Sequence, residues 1–315
     1  MSATATDRRP RPRPRQRKGD LIFAGATRVA ALTIMLALAG VAIFLTLEGI
    51  PAIDAPPNKL GGAESLAAFV GPLLFGTVLA AVIALVIATP FALGVALMIS
   101  HYAPRRLSRP IGYLIDLLAA VPSVVYGLWG IAYLGPRLGP VYLWLEQHLG
   151  FIPFFKGPAA TSGRTILTAG IVLAIMALPI ITAITREIFA QTPTLQQEAA
   201  LALGATRWEM IRLAVLPYAR SGIVSAVMLG LGRALGETMA VAMVLSAMSG
   251  VVTFNLISSV NPSTIAANIA NNFPEATGLG VNALIASGLV LFVITFAVNF
   301  AARAVITRSE KRFSS

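Results

Sequence analysis

Two residues in GLGRALGETMAVAMV, residues 230 to 244, have the types needed for anion chemistry: Arg233 offers planar guanidinium donors and Glu237 an acceptor carboxylate. They stand four positions apart inside a run from Ser221 to Gly250 that holds no other charge. On one continuous helix this spacing puts both on the same face, one turn apart, where they can pair. Insertion scales place such groups at roughly +2.5 to +3.5 kcal/mol each at a membrane-helix centre, so both are expected to face protein and not lipid. Two roles stay open for the pair, an anion contact in a pathway and a structural salt bridge. Beside them Gly232, Gly236 and Ala240 recur every four residues, a small-residue stripe suited to close packing against another helix or another subunit.

The elements that hold these residues follow from composition. With 57% hydrophobic residues, 12% charged residues and a mean hydropathy of +0.79, the chain of 315 residues does not suit a soluble domain. Six apolar stretches are long enough to cross a bilayer, near 22–47, 70–100, 111–134, 165–188, 218–247 and 282–303. The predicted class is therefore an all-α integral membrane protein with six transmembrane helices. Cysteine is absent and there are two histidines, so no thiolate or histidine-rich metal site can be argued.

Charge placement orients the spans. Lys and Arg number eight in residues 1–28, three in 101–110, four in 186–220 and four in 303–315, whereas the opposite side holds Lys59, Arg137, Lys156 and Arg164. This asymmetry predicts both termini in the cytoplasm. The proline-broken basic stretch RRPRPRPRQRK, residues 8 to 18, reads as part of a disordered tail (residues 1–20) that acts as an orientation signal. Residues 21–308 read as one transmembrane domain, followed by a short tail at 309–315. Pro90, Pro122 and Pro179 fall inside spans and predict kinks or broken helices.

Between the fourth and fifth spans, TREIFAQTPTLQQEAALALGATRWEMIRLAVLPYAR (residues 185–220) is too amphipathic for a plain linker. Thr194 with Gln197 has a capping-box pattern, Gly204 permits a turn, and a second short helix from Thr206 brings Trp208, Ile211 and Val215 close to one face. Glu198-Ala199-Ala200, Gly204 and Leu216-Pro217 resemble the EAA loop of bacterial ABC importer permeases, with Ala214 where an isoleucine is usual. The resemblance implies a type I permease fold whose loop, residues 189–217, docks on a separate ATPase subunit. In keeping with this, none of the four lysines follows a glycine in a Walker-type phosphate-binding pattern, so the chain reads as a transport subunit and not an enzyme.

The segments YAPRRLSRPIGYLIDLLAAVPSVVYGLWG (102–130), AGIVLAIMALPIITAITRE (169–187), GLGRALGETMAV and IAANIANNFPEA (265–276) further resemble the PstC family of phosphate importer permeases. That resemblance implies phosphate as substrate and the bacterial plasma membrane as location. It also implies a PstA-type permease as partner, a pair of PstB-type ATPases carrying ATP and Mg, and an extracytoplasmic phosphate-binding protein. Arg233 would then meet the anion, while Glu237, competing for the same donors, would limit how tightly it is held. A PstA-type paired permease, a permease for another oxyanion and a secondary anion transporter are the alternatives.

Other polar groups read as structural. Asp116 is expected near Arg105 or Arg109, and Arg186 with Glu187 to shape the seat of the loop. Ser123, Tyr126, Thr238 and Ser246 carry groups that commonly bond their own helix backbone. The aromatic, proline-rich segment 136–158 suits an interfacial belt or a contact with a binding protein.

Overall fold

The computed structural model describes residues 18–313, so most of the basic tail expected at 1–20 and the end of the 309–315 tail lie outside it. Contacts divide the chain into residues 1–45 and residues 46–315. The described part of the first unit belongs to helix α1 (Lys18–Gly49). Its threonines bond inward along the helix, Thr27 Oγ1 donating to the Phe23 carbonyl at 3.0 Å and Thr33 Oγ1 to that of Val29 at 2.9 Å. A hydroxyl satisfied this way can sit in lipid.

The second unit is built on α2 (Leu66–Leu97), which continues through a π-helical turn at Met98–Tyr102, and on α6 (Ile166–Ala190). Around this pair lie α3 (Arg105–Ala119), α4 (Ser123–Trp129), α5 (Gly135–Leu149), α7 (Thr194–Ala202), α8 (Arg207–Met210), α9 (Leu216–Gly236), α10 (Met239–Val244), α11 (Ile265–Asn272) and α12 (Leu279–Phe313). Five helical stretches are long and apolar enough to cross a membrane, and a sixth span is formed if the bent pair α3 and α4–α5 counts as one.

Small residues explain the central pair. Ala80, Ala84, Ala88 and Ala92 recur every four residues on α2 and are at most 1% exposed, packed with Val172, Met176, Ala177 and Ile181 of α6. A methyl ridge lets two backbones approach, which in a lipid-embedded bundle replaces the hydrophobic drive available in water. Gly170 of α6 has no room for a side chain because Ile83 fills that place. Thr182 Oγ1 then reaches across to the Ala92 carbonyl at 3.4 Å.

Of the three span prolines, one breaks its helix as expected and two do not break theirs. Helices α2 and α6 run without interruption through Pro90 and Pro179. At Pro122 the chain does break, and the segments on either side meet at 91°. The third span is therefore two helices and not the single run expected at 111–134. The fifth, expected at 218–247, also breaks, because α9 stops at Gly236 and α10 begins at Met239.

Away from the loop at 189–217, the ends of the helices are tied by irregular chain. A short parallel pairing joins Ala247–Met248 (β1) to Asn261–Pro262 (β2). Fully buried Asn261 accepts from the Ile166 amide at 2.9 Å and donates to the carbonyls of Arg164 and Ser246. One side chain thus caps α6 and holds two loops.

Replacing Ala84 by Leu adds three carbons where no space exists, and overpacking of this kind costs about 1–3 kcal/mol or more. Thermal unfolding of the detergent-purified chain should shift down clearly for Ala84→Leu and little for Val86→Leu, whose position is 69% exposed.

Candidate functional site

Helix α9 presents two faces, each read from its spacing. Gly222, Ala226 and Gly230 form the face against α6: side chains at the two glycines would collide with Ile188 and Ile181, and Ala226 is fully buried. Within this chain that is the packing stripe. At Gly232 and Gly236 of the expected stripe, nothing of this chain lies within 4 Å of a built Cβ, and Ala240 belongs to the next helix, so the stripe does not pack within the chain.

Gly232 and Arg233 instead line a cavity of about 500 Å³ between α9 and α12, together with Ser225, Asn299 and Arg303. Nε of Arg233 is buried with no hydrogen-bond partner. Asn299 Nδ2 donates to the Thr295 carbonyl at 2.9 Å and Ser225 Oγ to that of Ser221 at 3.0 Å. Two guanidinium groups lining one cavity, from α9 and α12, suit an oxyanion, whose oxygens accept several charge-assisted bonds at once. Arg303 and Asn299 escaped the sequence reading because they lie 66 or more positions from Arg233, and only the fold brings α12 beside α9.

Glu237 is not where continuous helix would put it. It has extended backbone (φ −70°, ψ 127°) in the break after α9, and its Oε1 accepts from the Ala240 amide at 3.2 Å, in the first turn of α10. Among the described residues no ion pair joins it to Arg233. The correction has a plain cause: a carboxylate beside unsatisfied amides at a helix start gains more from capping them than from an arginine on a helix that has already ended. Nearby hydroxyls behave as expected of structural groups, Thr238 Oγ1 donating to the Gly236 carbonyl and Tyr126 to that of Leu118 across the third-span break.

A second cluster links α3 to α6. Asp116 pairs with Arg186 at 3.4 Å, among the described residues not with Arg109, while the side chain of Arg105, the other expected neighbour, lies outside them; Gly112 is required where the Arg186 guanidinium crosses α3. Arg109, Asp116, Arg186 and Glu187 line a cavity of about 410 Å³ there.

The loop between α6 and α9 is ordered by its own bonds. Helix α7 starts after Pro193 without the expected Thr194 cap, and Gln197 Nε2 donates to the Thr192 carbonyl at 3.1 Å. The capping box forms one helix later, with Glu209 Oε2 accepting from Thr206 N at 2.7 Å and Thr206 Oγ1 accepting from Glu209 N at 3.3 Å. Gly204 has φ +86° and open space around it, so it serves the turn and not close packing. Ala200 packs on Met210, Ile211, Val215 and Phe189, while Glu198 and Ala199 are exposed. Ile211 and Val215 are buried but Trp208 is 54% exposed, so the expected shared face splits. Leu216 and Pro217 open α9 directly after a π turn at Ile211–Val215. Leu195, Leu203 and Trp208 leave an apolar surface on the loop, with Leu203 90% exposed.

The family of binding-protein-dependent transport system inner membrane components matches residues 88–314. The chain belongs to this family. It is 46% identical over 312 residues to phosphate transport system permease protein PstC 2 of Mycobacterium tuberculosis, covering 96% of this chain and 94% of the relative. To the PstC protein of Mesorhizobium japonicum it is 40% identical, over 93% and 91% of the two chains. Among solved structures, a chain of a bacterial alginate ABC transporter in complex with its periplasmic protein superimposes with a TM-score of 0.62 at 17% identity, over 92% of this chain and 96% of that one. The fold is that of a type I ABC importer permease. As an inner-membrane component the chain is a multi-pass membrane protein that works with other subunits, and ATP hydrolysis falls to a separate chain.

The capping role of Glu237 is testable by stability. Glu237→Gln keeps an acceptor for the Ala240 amide and should unfold within about 0.5 kcal/mol of wild type, whereas Glu237→Leu should lose about 1 kcal/mol, the usual worth of a helix-start cap. Equal melting of the two variants would overturn the assignment.

Proposed function

We propose that this chain is the permease subunit of an ATP-driven phosphate importer, forming the anion pathway with a second, PstA-type permease. One observation carries the mechanism: residues 207 to 236 form an unbroken helical run from the loop at 189–217 to Arg233. Thirty residues at about 1.5 Å each make a rod of roughly 45 Å, so a displacement applied to the loop is delivered to the arginine. The loop's exposed Leu195, Leu203 and Trp208 supply an apolar seat for an ATPase subunit, and the bonds around Thr206 and Gln197 keep that seat stiff.

Phosphate as the cargo is supported by the names of relatives 40–46% identical over nearly the whole chain and by the paired guanidinium groups of the α9–α12 cavity. Arg233 contacts the anion with donors that include its unpartnered Nε. Glu237, held by Ala240 at the break, is the fixed carboxylate that keeps anion retention short. Residues 21–308 make up the permease domain, with Lys and Arg placement supporting cytoplasmic termini. The partner ATPases, of PstB type, hold ATP and Mg, and an extracytoplasmic phosphate-binding protein delivers the substrate.

Bonds from a charged donor contribute roughly 1.5–3 kcal/mol, which is about tenfold or more in rate when lost at the rate-limiting barrier. In a complex shown to assemble normally, Arg233→Gln should lower ATP-dependent phosphate uptake by about tenfold or more. Arg233→Lys, which keeps the charge but not the planar fork, should fall between. Wild-type uptake by Arg233→Gln would remove Arg233 from the pathway.

A further inference from the structure

The asparagine-rich helix α11, IAANIANN, is not used by the site above, and it lies at the far end of the second unit from the loop that seats the ATPase. Helix α2 measures that separation. Its C-terminal end is tied to the loop, Arg207 Nη1 donating to the carbonyl of His101 at 3.5 Å, whereas Phe69 in its first turn faces α11 across a cavity. The 32 residues of α2 put roughly 48 Å between these ends.

At this far end two adjoining cavities of about 280 and 390 Å³ share Gly61, Phe69, Ser249 and Asn268. Asn268 is 7% exposed, and its Nδ2 has no hydrogen-bond partner. The amide is not free to turn that donor elsewhere. Its Oδ1 accepts from Asn272 Nδ2 at 2.9 Å, and the same Asn272 nitrogen reaches the Asn268 carbonyl at 2.8 Å. A buried donor left open is one that an acceptor bound in the cavity would satisfy. Lys59 lines the same cavity and brings a positive charge, and Ser249 brings a hydroxyl. Open donors beside an ammonium group define a ligand rich in acceptor oxygens and negatively charged. Glu275 on the wall of the smaller cavity and Glu64 on that of the larger add acceptors. A hydrogen phosphate can donate a hydrogen bond from its own hydroxyl to the Glu275 carboxylate, and sulfate at neutral pH has no hydroxyl to donate.

We propose that Lys59, Ser249 and Asn268, with Asn272 aligning the amide, form an oxyanion receiving pocket at the end of the permease opposite the coupling loop, which takes free phosphate before it meets Arg233. The pocket rests on the reading of the chain as a phosphate permease.

The chain has no cysteine, so the Ser249→Cys variant carries a single thiol, placed at the pocket. The test follows alkylation of the Ser249→Cys chain by a membrane-impermeant thiol reagent, in the assembled complex in lipid nanodiscs. Millimolar inorganic phosphate should slow labelling at least threefold, sulfate should slow it less, and adding Lys59→Gln should abolish the protection. Equal rates with and without phosphate would overturn the pocket. So would protection by anionic lipid but not by inorganic phosphate, which would make the ligand a headgroup, or protection by the binding protein free of phosphate, which would make the pocket a protein seat. ATP-dependent phosphate uptake by the wild-type complex is measured alongside. Intact uptake without protection defeats the pocket alone, and absent uptake defeats the permease reading on which it rests.

Discussion

Everything in the second unit hangs on the contact between the alanine ridge of α2 and the face of α6. Lipid tails are as apolar as leucine, so two membrane helices associate through close packing and not by escape from water. Methyl groups at Ala80, Ala84, Ala88 and Ala92 allow that approach along some four turns, and the gap they leave is filled by Val172, Met176 and Ile181. Helix α6 in turn carries Ile181 and Ile188 to the glycines of α9. Helix α9 is thus located by α2 at one remove, and with α9 the position of Arg233 is settled. A larger side chain in the ridge would displace the arginine without touching it.

The second constraint is backbone satisfaction in lipid. Free amides and carbonyls are not tolerated against hydrocarbon, so a broken span survives only where its ends find partners or line a wet cavity. Both breaks here meet that condition. At the third span the Tyr126 hydroxyl donates to the Leu118 carbonyl, and at the fifth the Glu237 carboxylate accepts from the Ala240 amide. The two breaks are also neighbours: α4 packs against α10, where Gly127 leaves room for Ala240 and Met243. Each irregular segment is shielded by the other.

These two constraints mark how far the sequence could be read. The length of the apolar runs disclosed the spans, because each run carries its own signal, and the loop at 189–217 was legible because Gly204 and Leu216-Pro217 act locally. The fate of the prolines was legible only in part: Pro122 breaks its span as expected, whereas Pro90 and Pro179 do not break theirs. A proline removes one donor in every case, but the sequence beside it does not say whether the helix runs on. Arg233 and Glu237 failed as a pair for a related reason. Four-residue spacing means one face only while the helix continues, and the Gly236 position that ends α9 looks in sequence like one more small residue of a stripe. Asp116 likewise found Arg186, 70 positions distant, a partner no local spacing announces.

The geometry also explains why a charged residue is placed at the end of α9 and not in its middle. A rod transmits displacement along its length, and the change in environment is greatest where the rod stops. Arg233 lies one turn before Gly236, beyond which Glu237 and Thr238 interrupt the helix and the Glu237 carboxylate holds the chain to α10. Motion arriving through α9 therefore has to be absorbed at residues 237 and 238, because α10 is fixed by its packing on α4 and α6. Gly236 and Thr238 have the freedom for this, the first because nothing lies within 4 Å of a Cβ built on it and the second because its hydroxyl bonds to the adjacent Gly236 carbonyl and ties it to no other helix. A guanidinium one turn from such a joint changes its distance to a fixed carboxylate whenever the rod moves. An arginine at mid-helix, carried with its neighbours, would keep the same surroundings in both positions and could not serve the proposed alternation between holding an anion and releasing it.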